Sequence, residues 1–544
     1  MPHMAHREGS SLPTMALRPA HVTPHSLAHV AARSGCVLSV SDAGETLVVG
    51  VTVDSRAVVA GDLFGALPGL QVHGATFGAA AVAAGASAIL TDKAGAELLA
   101  AAGVTVPLLL TEEPRNAIGE AAALVYGDPS HELTVVGVTG TNGKTTTSYF
   151  IDNALAQVHP NRGILGTVEL RVRGEAIESP RTTVEAPVLH GLLARMREEG
   201  VTAAVAEVSS HAAALDRISG MEFAVAVFTN LQWDHLDFHL TMEGYLNAKA
   251  RLFEPGRSRF GVINIDDEWG RLLASRVAIP VQTVSTLPSA QLDADWVVTS
   301  ADVGLDGVGS QFRFRSPDGA EHTAASPLPG LVNVSNAMVA IVAAHAAGVP
   351  LELAIAGVAT AHEVPGRMER VIERSDADPL AIVDYAHTPD ALELALSGVR
   401  PITPGRLILI FGSDGDRDRG KRPVMGEIAA RLADIIVLTD ENPRSEEPAA
   451  IRAAIREGIE RVRPDLAAVH EVEPRVAAVE YGLRLGQPGD TVIVTGKGHE
   501  PTQEVAGVFH RYNDRDAYLA AHARIVAERA AGDVRVEDHQ GGRA

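Results

Sequence analysis

Gly140-Thr141-Asn142-Gly143-Lys144-Thr145-Thr146 is the stretch whose residue types and order most directly imply chemistry. Glycines let a backbone approach an anion with no Cβ in the way. A lysine adds a full positive charge, and the hydroxyl after it is the one such loops place on Mg²⁺. A β-branched run, Val135 to Thr139, enters the turn, and a helical stretch, Ser148 to Ala156, leaves it. A strand that opens through such a turn onto a helix N-terminus is an anion site, because turn N–H groups and the helix dipole converge there. The strict G-x-x-x-x-G-K-[ST] spacing is missed by one place: Val138 stands where the first glycine belongs and Gly137 precedes it. An ordinary βα turn with a surface lysine is the plain alternative. The succession of strand, turn, Lys-Thr-Thr and helix argues against it, and the stretch reads as a nucleotide-phosphate loop.

Two apolar strands downstream release polar residues at their C-terminal ends. Ala203 to Val208 ends in Glu207-Val208-Ser209-Ser210-His211, and Phe223 to Phe228 runs through Thr229-Asn230-Leu231 into Asp234-His235-Leu236-Asp237-Phe238-His239. In a doubly wound sheet ligands bind beyond the strand ends, so these groups can meet the phosphate loop. Mg²⁺ bridging ATP phosphates needs few protein ligands, usually oxygen. Glu207 and Thr145 suit a first ion, and His235 could complete a second, although imidazole is a less usual Mg²⁺ ligand. For His235 and His239 the bland reading is a hydrogen-bonded core histidine, and for Asp234 and Asp237 it is helix capping. Lys249 sits in a helical pattern, where an unmodified lysine is ordinarily a solvated surface group.

The elements that must position these groups follow from length and pattern. At 544 residues the chain is expected to fold as three or four domains. A net charge of −22 argues against nucleic acid or an anionic membrane surface as partners. The single cysteine, Cys36, excludes an internal disulfide framework and fits a reducing cytoplasm. Ala337 to Ala361, the most apolar stretch, is broken by His345, Pro350 and Glu352 and reads as packed helices, not a membrane span. Residues 1–27 read as a disordered lead, 28–131 as a small α/β domain, 132–362 as the domain of the phosphate loop, 363–530 as a second parallel α/β domain, and 531–544 as a frayed tail. The last α/β domain has strand candidates Ala381 to Asp384, Leu407 to Phe411, Ile435 to Thr439 and Thr491 to Thr495. Each ends in polar sequence: Asp384-Tyr385-Ala386-His387, Gly412 to Arg417, Asp440-Glu441-Asn442-Pro443-Arg444, and Gly496-Lys497-Gly498-His499-Glu500. That is another sheet with a ligand edge.

Taken together these motifs resemble the Mur ligases, ATP-dependent amide-forming enzymes of peptidoglycan precursor synthesis. The pieces that carry the resemblance are TGTNGKTTT, EVSSHA, FTNLQWDHLDFH, YLNAKARLF, NVSNAMVA, PGRMER, DYAHTPDAL, FGSDGDRDRGKRP and GKGHE, spread over residues 47–516. The resemblance implies three α/β domains: an N-terminal UDP-sugar-binding domain, a central P-loop ATPase domain with a parallel sheet, and a C-terminal Rossmann-like domain that binds the amino acid. It implies ATP as co-substrate, Mg²⁺ as cofactor, a cytoplasmic monomer, and small-molecule partners only. Gly140, Thr141, Asn142, Gly143, Lys144, Thr145 and Thr146 would bind ATP, with Asn336, Arg367 and Asp384 matching positions that hold it from across the interdomain cleft. Lys144, Glu207, His235 and Lys249 would be the catalytic group. Lys249 matches the lysine that the family carbamylates, which reverses the surface reading and makes it a metal-side anion beside Thr145, Glu207 and His235. Thr182, Thr183, Ser210 and Arg217 match muramoyl-peptide positions, with Ser55 and His73 near the uridine end. Arg417, Asp440, Asn442, Arg444, Gly496 and Glu500 fall in the blocks that grip the amino acid. The block Asp440 to Arg444 resembles the one that selects diaminopimelate, and Arg444 would pair with its distal carboxylate. Lysine or ornithine as the amino acid, a folate polyglutamate ligase, and a non-catalytic P-loop module are the competing readings. Two departures stand out: Val184-Glu185 follows Thr182-Thr183 where Pro-Asp is commoner, and Glu441 replaces a commoner Asp.

Overall fold

The computed structural model describes residues 17–69, 71–287, 292–303, 309–361 and 364–540. Among these residues the chain forms three α/β units on sheets of five, eleven and six strands. The strands that read as continuous apolar runs lie at the sheet centres, covered on both faces: Phe223–Phe228 in the middle unit and Leu407–Phe411 in the C-terminal one.

The first sheet pairs Gly50–Thr52, Asp62–Gly65, Ala88–Thr91 and Leu108–Leu110 in parallel, and Val37–Leu38 closes it antiparallel. Residues 17–27, read from sequence as part of a disordered lead, are instead tied down. Arg18 forms a forked pair with buried Asp62, at 2.8 Å to each carboxylate oxygen. The N–H groups of Ala20 and His21 donate to Glu198 at 2.7 and 2.8 Å, and His25–Ser26 pairs with Leu47–Val48. A charged fork and a carboxylate reaching from the middle unit supply what the apolar-poor local sequence lacks. The rest of the expected lead, residues 1–16, lies outside the described residues.

In the middle sheet the phosphate-loop strand, Thr134–Thr139, runs parallel between Ala203–Glu207 and Phe223–Phe228. Antiparallel strands extend both margins, Glu169–Val172 and Glu175–Glu178 on one side and Ser310–Arg315 and Glu321–Ser326 on the other. The apolar stretch near residue 340 is two helices, Leu331–Ala346 and Leu351–Ala359. The first is buried on nearly all sides and packs on helix Lys144–Leu155. Its core is continuous with Leu392, Leu396 and Leu409 of the C-terminal unit, so one apolar mass joins the two units.

The C-terminal sheet runs Glu369–Ile372, Leu380–Asp384, Thr491–Thr495, Leu407–Phe411, Ile435–Leu438, Val469–Glu471, parallel except for its first strand. The expected boundary before it, at residues 362 and 363, lies outside the described residues. The last helix, Asp514–Gln540, carries on through residues 531–540, which the sequence reading assigned to a frayed tail. No helix among the described residues is long and apolar enough to cross a membrane.

Candidate active site

Helix Lys144–Leu155 begins directly after Gly143, four residues earlier than the sequence pattern indicated, so Lys144, Thr145 and Thr146 form its first turn. Their N–H groups lack intrahelical partners and face the turn, the arrangement that receives an anion. Gly143 has φ 82°, and a Cβ there would run into Asn336 Oδ1. A Cβ on Gly140 would collide with the Thr229 hydroxyl. Gly137, by contrast, lies inside the strand against Phe223 and Leu252, so the glycine that breaks the usual spacing serves packing. The loop is held in shape by the next strand end. Asn142 N–H donates to Asn230 Oδ1 (3.0 Å), while Asn230 Nδ2 and the Thr229 hydroxyl donate to the Asn142 carbonyl (3.1 and 2.7 Å). Gln232 N–H donates to the Thr141 hydroxyl at 2.9 Å. Thr229 and Asn230 were read from sequence only as polar residues at a strand end able to meet the loop, and Gln232 was given no part; their place beside the loop was the available signal.

Lys144 Nζ donates to the carbonyls of Gly140 (3.1 Å) and Thr141 (2.8 Å). Lys249 is not on the surface. Helix Met242–Ala250 turns it inward, it is 1% exposed, and its Nζ donates to the same Gly140 carbonyl at 2.6 Å. The amine also lies 4.4 Å from the centre of the Tyr245 ring. Burial and the Lys144 charge hold its proton affinity well below the ordinary lysine value. Buried Glu207 accepts from the hydroxyls of Thr145 (3.1 Å) and Thr167 (2.7 Å) and from Thr167 N–H (3.0 Å). His235 sits at the mouth with φ 54°, its Nε2 3.3 Å from Asp234 Oδ2 and its ring 4.8 Å from that of His211. Burial lowers its affinity for a proton, leaving a neutral imidazole able to act as a ligand. His239 is hydrogen-bonded to Ser210 (2.9 Å) and stacks on Tyr245. Among the described residues no three or more His, Cys, Asp or Glu side chains form a ready-made metal cage. The oxygen donors of Thr145 and Glu207 do suit a hard cation shared with phosphates.

Asn336 does not reach the loop from across the cleft, as the sequence reading expected. It stands on helix Leu331–Ala346 of the middle unit, accepting from the Thr147 hydroxyl (3.4 Å) and donating to Asn333 (3.2 Å). From the C-terminal unit come Arg367, its guanidinium 4.2 Å from the centre of the Tyr385 ring, and Asp384. Asp384 accepts from the N–H groups of Met368 and Ala386, both at 2.8 Å, and burial pushes its carboxyl up. Thr182 accepts from Thr167 (3.2 Å) and Thr183 donates to the Glu207 carbonyl (2.8 Å), which hangs this loop on the Glu207 group. Arg217 and Arg181 both pair with Glu185, at 3.0 and 2.9 Å, giving that departure from the family pattern a charge partner. Ser55 and His73 are in the N-terminal unit. Ser55 opens the short turn Ser55–Ala57, and the His73 ring accepts from Ala75 N–H (3.0 Å) and meets Asp92 (3.1 Å).

At the C-terminal sheet edge Asn442 donates to Glu500 (3.1 Å) and Arg444 to Asp414 (3.4 Å). Gly496, at φ 113°, lacks the Cβ that would press on the carboxylate of Glu441. Arg417 is exposed. Asp440 is drawn to Arg452, which also holds Glu471 (2.7 Å) and Glu473 (2.6 Å). Glu441 is buried, and burial together with Asp414 pushes its carboxyl well above the usual range. Burial would raise Glu500 too, but Lys497 and Asn442 outweigh it and keep that carboxyl low. Lys497 was quoted within its motif and assigned no part.

A phosphate loop, a buried second amine and a facing sheet edge rich in paired polar groups are the parts an ATP-dependent ligase needs. Three family descriptions match in order: Mur ligase family, catalytic domain, over residues 47–126; Mur ligase middle domain over 138–344; and Mur ligase, glutamate ligase domain, over 366–498. The chain belongs to the Mur ligase family. It is 47% identical to the UDP-N-acetylmuramoyl-L-alanyl-D-glutamate–2,6-diaminopimelate ligase of Streptomyces avermitilis, over 92% of this chain and 96% of that one. It is 43% identical to the UDP-N-acetylmuramyl-tripeptide synthetase of Leifsonia xyli, over 92% and 96%. A solved UDP-N-acetylmuramoyl-L-alanyl-D-glutamate–2,6-diaminopimelate ligase superposes with a TM-score of 0.65 at 33% identity, covering 92% of this chain and all of that one.

Proposed function

We propose that this protein joins an amine of 2,6-diaminopimelate to the γ-carboxylate of D-glutamate in UDP-N-acetylmuramoyl-L-alanyl-D-glutamate, cleaving ATP to ADP and phosphate. The reaction belongs to peptidoglycan precursor synthesis and needs one chain and small-molecule substrates, in the cytoplasm. The observation that carries the reading is the convergence of two amines, Lys144 and Lys249, on the Gly140 carbonyl of the phosphate loop. Two cations this close are tolerated when polyanionic phosphate lies between them, or when one of them is converted to an anion.

The substrate carboxylate attacks the γ-phosphorus of ATP, the bond to the ADP oxygen breaks, and an acyl phosphate forms. The diaminopimelate amine then attacks the acyl carbon, phosphate leaves, and the amine gives up a proton as the amide forms. Phosphoryl transfer of this kind asks for positioning and charge neutralisation more than for a protein nucleophile. Lys144 neutralises charge on the phosphates, and the first-turn N–H groups of Lys144, Thr145 and Thr146 hold them. Arg367 and Asp384 grip the nucleotide from the C-terminal unit, and Asn336 backs the loop from behind. Thr182, Thr183, Ser210 and Arg217 orient the muramoyl-peptide; Ser55 and His73 belong to the uridine end. Asn442, Arg444, Gly496 and Glu500 receive the amino acid, with Arg417 and Asp440 at the margin of that edge.

Thr145, Glu207 and His235 would hold Mg²⁺, which supplies charge neutralisation on the transferring phosphoryl group. Lys249 joins them as a carbamate: its neutral amine adds to CO₂, a proton is released, and a cation becomes a carboxylate. Its burial beside Lys144 favours the neutral amine that this addition requires.

The test is an assay of the purified protein with ATP, the UDP-muramoyl-dipeptide and, separately, diaminopimelate, lysine or ornithine, read by phosphate release and product mass. Diaminopimelate-dependent amide formation is expected. Turnover preferring lysine or ornithine, or needing no amino acid, overturns the assignment.

A further inference from the structure

The geometry points to Lys497 as a positioning residue that sets the amino-acid grip by fixing Asn442, Glu500 and, through Glu504, Arg444. Its side chain is 0% exposed, in the turn that follows strand Thr491–Thr495. Lys497 Nζ donates to Asn442 Oδ1 and to Glu500 Oε2, both at 2.8 Å. An ammonium only donates, so its contact identifies the Asn442 oxygen and leaves the amide nitrogen no choice of side. Backbone N–H of Glu504 donates to the same Oδ1 at 3.1 Å, which reinforces that orientation. The Asn442 amide nitrogen is thereby directed to Glu500 Oε2 at 3.1 Å, with its second proton available to a ligand.

Glu500 Oε2 now has two donors, which leaves Oε1 as the oxygen able to receive an ammonium group. Glu504 carries the effect one step further. It lies on the strand Thr502–Val505, and its carbonyl accepts from Arg444 N–H at 3.1 Å, where Arg444 adopts φ 55°. That left-handed conformation is uncommon for a long side chain and persists where neighbours hold it. One buried amine thus connects three residues of the edge proposed to receive the amino acid.

This rests on the function proposed above, and the two can fail separately. If the wild-type protein uses another amino acid, the substrate assignment falls, and the same measurement is made with the amino acid it does use. Lys497→Met keeps the buried length and removes both donors. For a folded Lys497→Met the expected result is a rise of about tenfold or more in the KM for diaminopimelate, with the KM for ATP within about twofold of wild type. The acid limb of the kcat/KM profile for the amino acid should also move to higher pH, because Glu500 loses the ammonium that keeps it ionised. Lys497→Gln, which can still donate to one partner, should fall between. A merely structural lysine would raise both KM values together or neither, and would leave the pH profile in place. Equal changes in the two KM values, an unchanged KM for the amino acid, or failure of both variants to fold would each overturn the proposal.

Discussion

Lys144 and Lys249 show how strongly surroundings decide what one residue type does. Both amines reach the Gly140 carbonyl, and both are held below the ordinary lysine proton affinity chiefly by burial. Lys144 also feels Glu207 and Asp234, which favour its charged form, whereas the next influence on Lys249 is the repulsive charge of Lys144 itself. The surroundings thus support charge on Lys144 more than on Lys249, the difference that the proposed roles require. Lys144→Ala should lower kcat by a factor of about 10²–10³ or more, as loss of a preorganised charge at a transferring group does; phosphate release in the full assay measures it. Lys249→Ala should be comparably slow but partly restored by millimolar acetate or another short carboxylate, which can enter where the proposed carbamate would stand. Absence of any recovery would count against the carbamate.

At the scale of elements, the phosphate loop works because two other segments shape it: the strand end carrying Thr229 and Asn230, and helix Leu331–Ala346 carrying Asn336. Gly143 is where strand-end geometry, helix start and Asn336 meet. Gly143→Ala combines a left-handed φ with a clash on Asn336 Oδ1, so it should cost about 1–3 kcal/mol of stability and weaken ATP binding more than amino-acid binding. Denaturant midpoints and nucleotide titration check the two parts. The turn at residues 496–500 has its own pH signature. Burial, then the Arg367 charge, pushes His499 down to about 4 from the ordinary value of about 6.5. Between those values the unfolded chain takes up the proton and the folded one resists it. The contribution is therefore whole above pH of about 6.5 and is lost as pH falls towards 4. Melting temperature should decline across that window, and His499→Gln should decline less steeply, as scanning calorimetry across the pH series will show.

Over the whole molecule, one apolar core joins the middle and C-terminal units, while charged ties secure the periphery. Arg18 with Asp62 pins the N-terminal segment, and the fully buried pair of Arg475 and Asp514 pins the last helix. Arg475 also donates to the Thr495 carbonyl at 2.8 Å, the end of the strand that leads into the Gly496–Glu500 turn. Asp514→Ala leaves the guanidinium buried without its anion and should cost about 3–5 kcal/mol, read as a lower urea midpoint. Within the C-terminal unit the start of the last helix is thereby tied to the strand end that leads into the turn at residues 496–500.

Some of this protein is written locally. The turn Gly140 to Thr146 announces an anion site because glycine, lysine and hydroxyl chemistry act over a few residues, and the strands Phe223–Phe228, Leu407–Phe411 and Thr491–Thr495 fall where apolar runs ended in polar sequence. Lys249 is the opposite case. Its side-chain type assigned it to solvent, resemblance alone brought it to the metal side, and only the packing of helix Met242–Ala250 buried its amine. Asn336, Asp440 and Lys497 were equally undecidable, because each owes its role to a partner far along the chain or on a neighbouring element: Thr147, Arg452, Asn442. The margin strands of the middle sheet were passed over, although Pro317-Asp318-Gly319 marks the turn between Ser310–Arg315 and Glu321–Ser326. Strand and turn conformation follow from side-chain type over a few residues. Which charge faces which carbonyl is settled when sheets and helices pack, and that choice the tertiary structure alone could make.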